Sequence, residues 1–226
     1  MGQQVERQKR IVIESQYFPC VEYFTILEKA DEVFIERQEH FQKQSYRNRS
    51  YILTANKIDR LTVPVLGANK GLPIGAMEID YKHKWQHRHW KAIESAYARA
   101  PFFEFYQDYF KEIIFTDFQY LIDLNKEILG LCSKLLGLKS RIYYTEEYIE
   151  NYQETGIDLR SEIHPKKATG LTQLQEYVQV FGDNFEPNLS ILDLLFCEGP
   201  NAIRLLRNQD SVLLHKDWGI AGHIST

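Results

Sequence analysis

Two apolar runs, "RIVIE" (Arg10 to Glu14) and "DEVFIE" (Asp31 to Glu36), flank the helical stretch "VEYFTILEKA". This arrangement constrains the chain more than any other feature. Short, unbroken runs rich in β-branched residues read as buried strands, and the segment between them has helical character. A strand, a helix and a strand within residues 10–36 make a tight βαβ unit, so a parallel α/β sheet is expected. "SQYFPC" is the connecting loop, with Pro19 placed at a helix start.

The next segments, "QSYRNRSYIL" and "LTVPVL" around "TANKID", read as a β-hairpin. "GANKGLPIG" is a loop and "AMEIDY" one more strand. From Trp85 the pattern turns helical: Trp85, His89, Ile93 and Tyr97 form one stripe, and Pro101 separates it from a second helix, "PFFEFYQDYFKEII". "TDFQ" (Thr116 to Gln119) has capping-box spacing. The helix behind it carries Leu121, Leu124, Ile128, Leu131 and Leu135, with Gly137 as its C-cap. "RIYYTEEY" is a further strand candidate. "NYQETGIDLRSEIHPKKATG" is polar and reads as a long loop. "LSILDLLFCEGPNAIRLL" reads as two short helices meeting at Gly199-Pro200. The expected fold class is α/β: a mainly parallel sheet with a β-hairpin, a helical middle segment and a less regular C-terminal part. With 226 residues, the division expected is an α/β core domain over 1–150 and a C-terminal extension, 151–226, packed on it.

Lys and Arg number 27 against 31 Asp and Glu, a net charge of −4. That balance argues against a bulk nucleic-acid binder. The cations of "QKQSYRNRSYIL" are therefore a local feature. Strand alternation puts Lys43, Ser45, Arg47 and Arg49 on one face, with Gln44, Tyr46, Asn48 and Ser50 on the other. Arginine forks match phosphate or carboxylate bidentately, so one reading is an anion cradle of Lys43, Arg47, Asn48 and Arg49. The other is an exposed strand face paired with the acids of "ERQEH". Ligands in parallel sheets sit beyond the carboxyl ends of strands, where Glu14, Gln16 and Tyr17 fall.

"HKWQHRHW" supplies His83, His87 and His89, and His40 lies elsewhere. No zinc-type ligand set is completed, so no metal is expected. His89 shares the inward stripe with Trp85, which makes it either a general base or a hydrogen-bonded core residue. His164, in "EIHPKK", sits with Lys166 and Lys167 on a loop suited to an anionic substrate or simply to solvent. Asp193 is an acid at the boundary of an apolar helix. No phosphate-loop, dinucleotide or nucleophile-elbow signature occurs. Three widely spaced cysteines suit a reduced cytoplasm. The N-terminus "MGQQVERQKR" shows no signal peptide, and no apolar run approaches the roughly 20 residues of a bilayer span. No membrane insertion is expected.

The segments "QYFPCVEYF", "ADEVFIE", "YRNR", "LTVPV", "WQHRHWKAIESAYARAPFF", "DLNKEIL" and "LLGL", in this order over about residues 10 to 145, resemble the WbqC-like proteins. The tail "QVFGDNFEPNLSILDLLFCEGPNA" is similar to the C-terminal part of one branch of that family. The resemblance implies a bacterial cytoplasmic protein linked to surface-polysaccharide (O-antigen) biosynthesis, with aminoacyl transfer onto a sugar as an activity. Many members carry His-Gln-Pro before the Tyr-Phe-Pro. Here the stretch is "ESQYFP", without that histidine, so its role would pass to Glu14 or His40.

The expected function is then aminoacyl or acyl transfer to a nucleotide-linked amino sugar. Alternatives are a nucleotidyl-transfer or adenylate-forming enzyme, and a non-catalytic sugar-nucleotide binder. His89, Glu14 and His40 are the candidate catalytic residues. Gln16, Tyr17, Lys43, Arg47, Asn48, Arg49, Trp85 and His164 are the candidate substrate contacts. The partner is a small, anionic sugar nucleotide, and no cofactor is expected.

Overall fold

The structure, a computed structural model, describes residues 9–152, 156–167 and 169–211. Its centre is a four-stranded, all-parallel sheet in the order β5-β2-β1-β6. The strands are β1 (Arg10–Glu14), β2 (Glu32–Glu36), β5 (Arg141–Tyr144) and β6 (Ile157–Asp158). The expected βαβ unit is present, with α1 (Val21–Lys29) between β1 and β2. Their register puts Glu14 opposite Glu36, at matching carboxyl ends. Ile11, Val12, Ile13, Val33 and Ile35 are buried, as expected for strands covered on both faces.

The antiparallel hairpin joins β3 (Arg49–Leu53) to β4 (Ile58–Thr62). It differs from the sequence reading at both ends. The turn is only 54–57, closed by the Thr54 amide donating to the Lys57 carbonyl at 3.0 Å, so Ile58 and Asp59 belong to the strand. Residues 43–48 are turn and bend, with Gln44 at φ +59°. Alternation therefore does not extend back to Lys43, and the single face of Lys43, Arg47 and Arg49 does not form.

The helical middle is α2 (Trp85–Tyr97), α3 (Phe103–Phe115) and α4 (Leu121–Leu136). Leu121, Leu124 and Ile128 of the expected stripe are buried. Gly137 ends α4 at φ +64°, its amide donating back to Lys134 and Ser133, the left-handed stop that glycine permits. The capping box at "TDFQ" is not used. Thr116 instead closes α3, its hydroxyl donating to the Glu112 carbonyl at 2.9 Å, and α4 starts after Tyr120 without a side-chain cap. "AMEIDY" forms only isolated bridges, Val65 to Ile79 and Glu78 to Tyr120.

The C-terminal stretch is woven into the sheet. β6 lies in the polar segment that reads as a loop, and pairs with β1 through Ile11–Ile157 and Val12–Asp158. β7 (Thr172–Gln173) pairs antiparallel with β8 (Asp210–Ser211). Helix α5 (Ile191–Glu198) leads through a 3-10 turn at Gly199–Asn201 into α6 (Ala202–Arg207), the two short helices expected at Gly199-Pro200. α5 and α6 pack against α1, which explains why α1 is buried from Val21 to Leu27. No described helix is long and apolar enough to cross a membrane.

Candidate functional site

The chain leaves β1 toward β2 on one side and later adds β6 on the other. The strand order therefore reverses between β1 and β6, the place where open α/β sheets form a ligand crevice at their carboxyl ends. Buried polar side chains gather there. Glu14 ends β1; its Oε1 accepts from Gln16 Nε2 at 2.8 Å and its Oε2 from the Ser161 amide at 2.9 Å. Glu36 ends β2 and accepts from the Gln38 amide, the Thr145 hydroxyl and Arg160 Nη1, the last at 3.2 Å. Asp158 ends β6 and pairs with Arg160, Nη2 to Oδ2 at 2.5 Å. Arg47 forks onto Glu39, Nε to Oε1 at 2.7 Å and Nη2 to Oε2 at 2.6 Å.

Ser161 is the junction. Its hydroxyl oxygen accepts from Arg47 Nη2 at 2.9 Å and Gln42 Nε2 at 2.8 Å, while its amide holds Glu14. It does this at φ +65°, a conformation that a non-glycine residue keeps only when its surroundings impose it. The network thus links four carboxyl groups (Glu14, Glu36, Glu39, Asp158) to two guanidiniums (Arg47, Arg160). Burial pushes the Glu39 carboxyl upward in pKa, against the hydrogen bonds and charge of Arg47.

A cleft of about 640 Å³ opens beside this network, walled by Glu39, His40, Gln42, Tyr148, Asp158, Arg160 and Ser161. The Arg160 guanidinium stacks on the Tyr148 ring at 4.7 Å. His40 is exposed, and its Nδ1 lies 2.7 Å from the Gly71 carbonyl oxygen. A carbonyl can only accept, so Nδ1 donates, and in the neutral ring Nε2 carries the free lone pair. Residues 164–167, 169 and 170 wall a larger groove of about 990 Å³, whose lining also includes Glu22, Tyr46, Tyr51 and Phe185. Burial raises the Glu22 carboxyl in pKa, opposed by hydrogen bonds from Thr169, Thr172 and Asn188. The His164 imidazole is lowered by burial and by Lys167, Lys166 and Arg47.

The structure therefore brings Glu14, Gln16 and Arg47 together through Ser161, with His40 on the adjoining cleft and His164 on the groove. Lys43 is exposed. Asn48 donates to the Val63 carbonyl at 2.8 Å, and Arg49 starts β3. Tyr17, Trp85 and His89 form a separate buried aromatic cluster: Trp85 and His89 pack edge to face with centroids 5.0 Å apart. His89 Nε2 lies 3.0 Å from the Thr62 amide and Nδ1 lies 2.9 Å from the Tyr17 hydroxyl. Nε2 also lies 3.2 Å from the Thr62 carbonyl oxygen, and the Tyr17 hydroxyl can donate to Nδ1 or accept from it, so either neutral tautomer finds partners here. Burial lowers the His89 pKa to about 4, with Thr62 opposing and Arg88 adding to the shift. Its ring is neutral and engaged at both nitrogens.

The reading that paired these cations with "ERQEH" named the right partner for Arg47, since Glu39 lies there, but the pair is buried rather than exposed. Sequence reasoning missed Asp158, Arg160 and Ser161, and it did not single out Glu36 as a site residue. Glu36 had a visible signal: like Glu14, it is an acid closing an apolar strand. The others had none. Asp193 is buried and holds Tyr177 Oη at 2.7 Å and Gln179 Nε2 at 2.9 Å. No group of three or more His, Cys, Asp or Glu able to hold a metal occurs among the described residues.

The family described as WbqC-like protein family matches residues 14–169 and 150–205. An uncharacterized protein of Mycobacterium tuberculosis is 27% identical over 227 residues, covering 88% of this chain and 97% of that protein. No solved structure matches the chain.

Proposed function

This chain belongs to the WbqC-like protein family, and on that premise we propose that it is an aminoacyl- or acyl-transferase acting on a nucleotide-linked amino sugar in bacterial surface-polysaccharide biosynthesis. One observation carries the reading. At the switch point of the sheet, carboxyl groups outnumber guanidiniums beside an open cleft, and a histidine with its lone pair free stands on the same cleft. An excess of acid suits a substrate that carries an ammonium group better than one that is only anionic.

In the reaction, Asp158 and Glu39 attract the ammonium of the sugar into the cleft. The bound ammonium first gives one proton to solvent, which frees the nitrogen lone pair, and His40 Nε2 takes the second as the amine nitrogen attacks the acyl carbon of an activated donor. The new bond is C–N; the bond from the acyl carbon to the donor's leaving group breaks, and the leaving group departs with its electron pair. Holding both reactants in one cleft lowers the barrier by orientation. The aromatic and lysine groups of the adjoining groove suit the nucleotide portion.

The test is incubation of the purified protein with nucleotide-activated amino sugars and their hydroxyl counterparts, each with acyl thioesters or with ATP and an amino acid. Mass spectrometry should find N-acylated sugar only where an amine is present. Equal modification of the hydroxyl sugars, or none of either, would refute the reading. A second reading, a non-catalytic sugar-nucleotide binder, is favoured by the hydrogen bonds that already occupy both Glu14 oxygens. It predicts saturable binding of the same sugars without product.

A further inference from the structure

The unbalanced positive charge of this protein lies at the start of α2 rather than in the hairpin approach. Lys82, His83, Lys84, His87, Arg88 and Lys91 wall a cleft of about 420 Å³ in which no acid occurs among the described residues of the lining. All six are exposed. Among the described residues, none of Lys82, Lys84, Arg88 and Lys91 takes part in an ion pair, whereas Arg47 and Arg160 are both paired. Two acids bond to neighbouring groups instead. Asp80 accepts from the Lys82 main-chain amide at 2.9 Å, and Asp117 from the Gln86 side chain at 3.1 Å.

Four like charges on one concave surface repel one another in the absence of a counter-ion. A chain with a net charge of −4 has acids enough to neutralise them, yet among the described residues none of those acids lines this cleft. Lys84, His87, Arg88 and Lys91 follow one another at i, i+3, i+4 and i+7, so they share one face at the start of α2, with Lys82 and His83 just before it. Flexible lysine ammoniums and one arginine fork suit phosphate oxygens, and the two imidazoles add hydrogen-bond donors.

We propose that this cleft binds a phosphate group, either of a soluble organic phosphate or diphosphate or of an anionic lipid headgroup. The site is independent of the carboxylate-lined cleft and of the transfer reaction assigned to it. Its binding residues share no side chain with that network.

Two probes distinguish the sources. Inorganic pyrophosphate is titrated calorimetrically, and vesicles of phosphatidylglycerol in phosphatidylcholine are used in a co-sedimentation assay. The expected result is saturable binding to at least one probe, weakened about tenfold or more in Lys84→Glu/Arg88→Glu and largely retained in Lys84→Arg. Binding of pyrophosphate alone assigns the site to a soluble phosphate; binding of vesicles alone assigns it to a lipid headgroup. The substituted side chains are exposed, so the melting curve of each variant should match the parent and confirm that folding is intact. Binding of neither probe by the parent protein would overturn the proposal. So would equal affinity in the charge-reversed variant, which would place the anion elsewhere.

Discussion

Arg47 and Glu39 form a two-pronged ion pair in the interior, with N–O separations of 2.7 and 2.6 Å, eight residues apart and both in loops beside the sheet. The pair replaces an external anion as the partner of Arg47. Removing one member leaves the other as an uncompensated buried charge, whereas removing both leaves a site that can repack.

Arg47→Met should therefore lower stability by about 3–5 kcal/mol. The double variant Arg47→Met/Glu39→Leu should be clearly more stable than Arg47→Met alone. Urea denaturation of the two variants and of Glu39→Leu completes the cycle. Additive losses would mean that the pair is not coupled in the folded state.

Gly199 lies at φ +51°, ψ −124° at the end of α5, a combination essentially confined to glycine. A Cβ built there would meet the Phe102 ring at 2.4 Å. The Phe102 amide also donates to the Phe196 carbonyl at 2.9 Å, which restrains the ring's backbone from moving away. Gly199→Ala should destabilise by about 1–3 kcal/mol from backbone strain, with a similar amount from overpacking. A melting temperature equal to the parent's would show that the α5–α6 junction adapts more freely than this geometry implies.

The parallel unit at residues 10–36 was legible because both strands are continuous apolar runs and the helix between them is long enough to cross over. Gly137 was legible because its signal is local. The start of β3 was not: the Gln44 turn uses no glycine, and a polar strand and a polar turn have the same composition. β6 escaped because two residues cannot show a period. It exists through its pairing with β1, a relation of residues more than a hundred positions apart. The candidate site divides in the same way. Glu14 and Gln16 follow from their place after an apolar strand, and Glu36 is visible by the same rule. Glu39, Arg160 and Ser161 depend on loops brought together by tertiary packing. The unpaired cations of 82–91 were present in the sequence, but their lack of partners is a property of the fold alone.

His89 gives a prediction with a sign. Its imidazole titrates near 6.5 in an unfolded chain and is lowered to about 4 by burial in the fold. Below pH 6.5 the unfolded chain binds a proton that the folded chain refuses, so stability falls as pH drops from about 6.5 to about 4. The difference corresponds to about 3 kcal/mol. His89→Gln should lose about 1–3 kcal/mol at pH 8 through disturbed bonds to Tyr17 and Thr62. Its own stability should change less across the acidic window, so the gap between parent and variant narrows as pH falls. Parallel pH–stability curves would contradict a buried neutral His89.

His40 is where the proposed chemistry can be separated from architecture. It is exposed, its Nδ1 is tied to the Gly71 carbonyl at 2.7 Å, and it shares the cleft with Asp158 and Ser161. A side chain in that position contributes little to folding, so His40→Gln should melt within a few tenths of a kcal/mol of the parent, as surface substitutions generally do. If Nε2 accepts the proton of the attacking amine, the same change should lower kcat by a factor of about 10² to 10⁴. KM for the amino sugar should stay close to the parent value, because proton transfer is felt in the transition state and not in ground-state binding. Asp158→Asn should show the complementary pattern, a raised KM with a smaller effect on kcat, since its charge attracts the substrate without reacting. Steady-state kinetics of the two variants on one amino-sugar substrate decides between these roles. A raised KM in both, with kcat unchanged, would make His40 a binding residue and leave the proton to solvent.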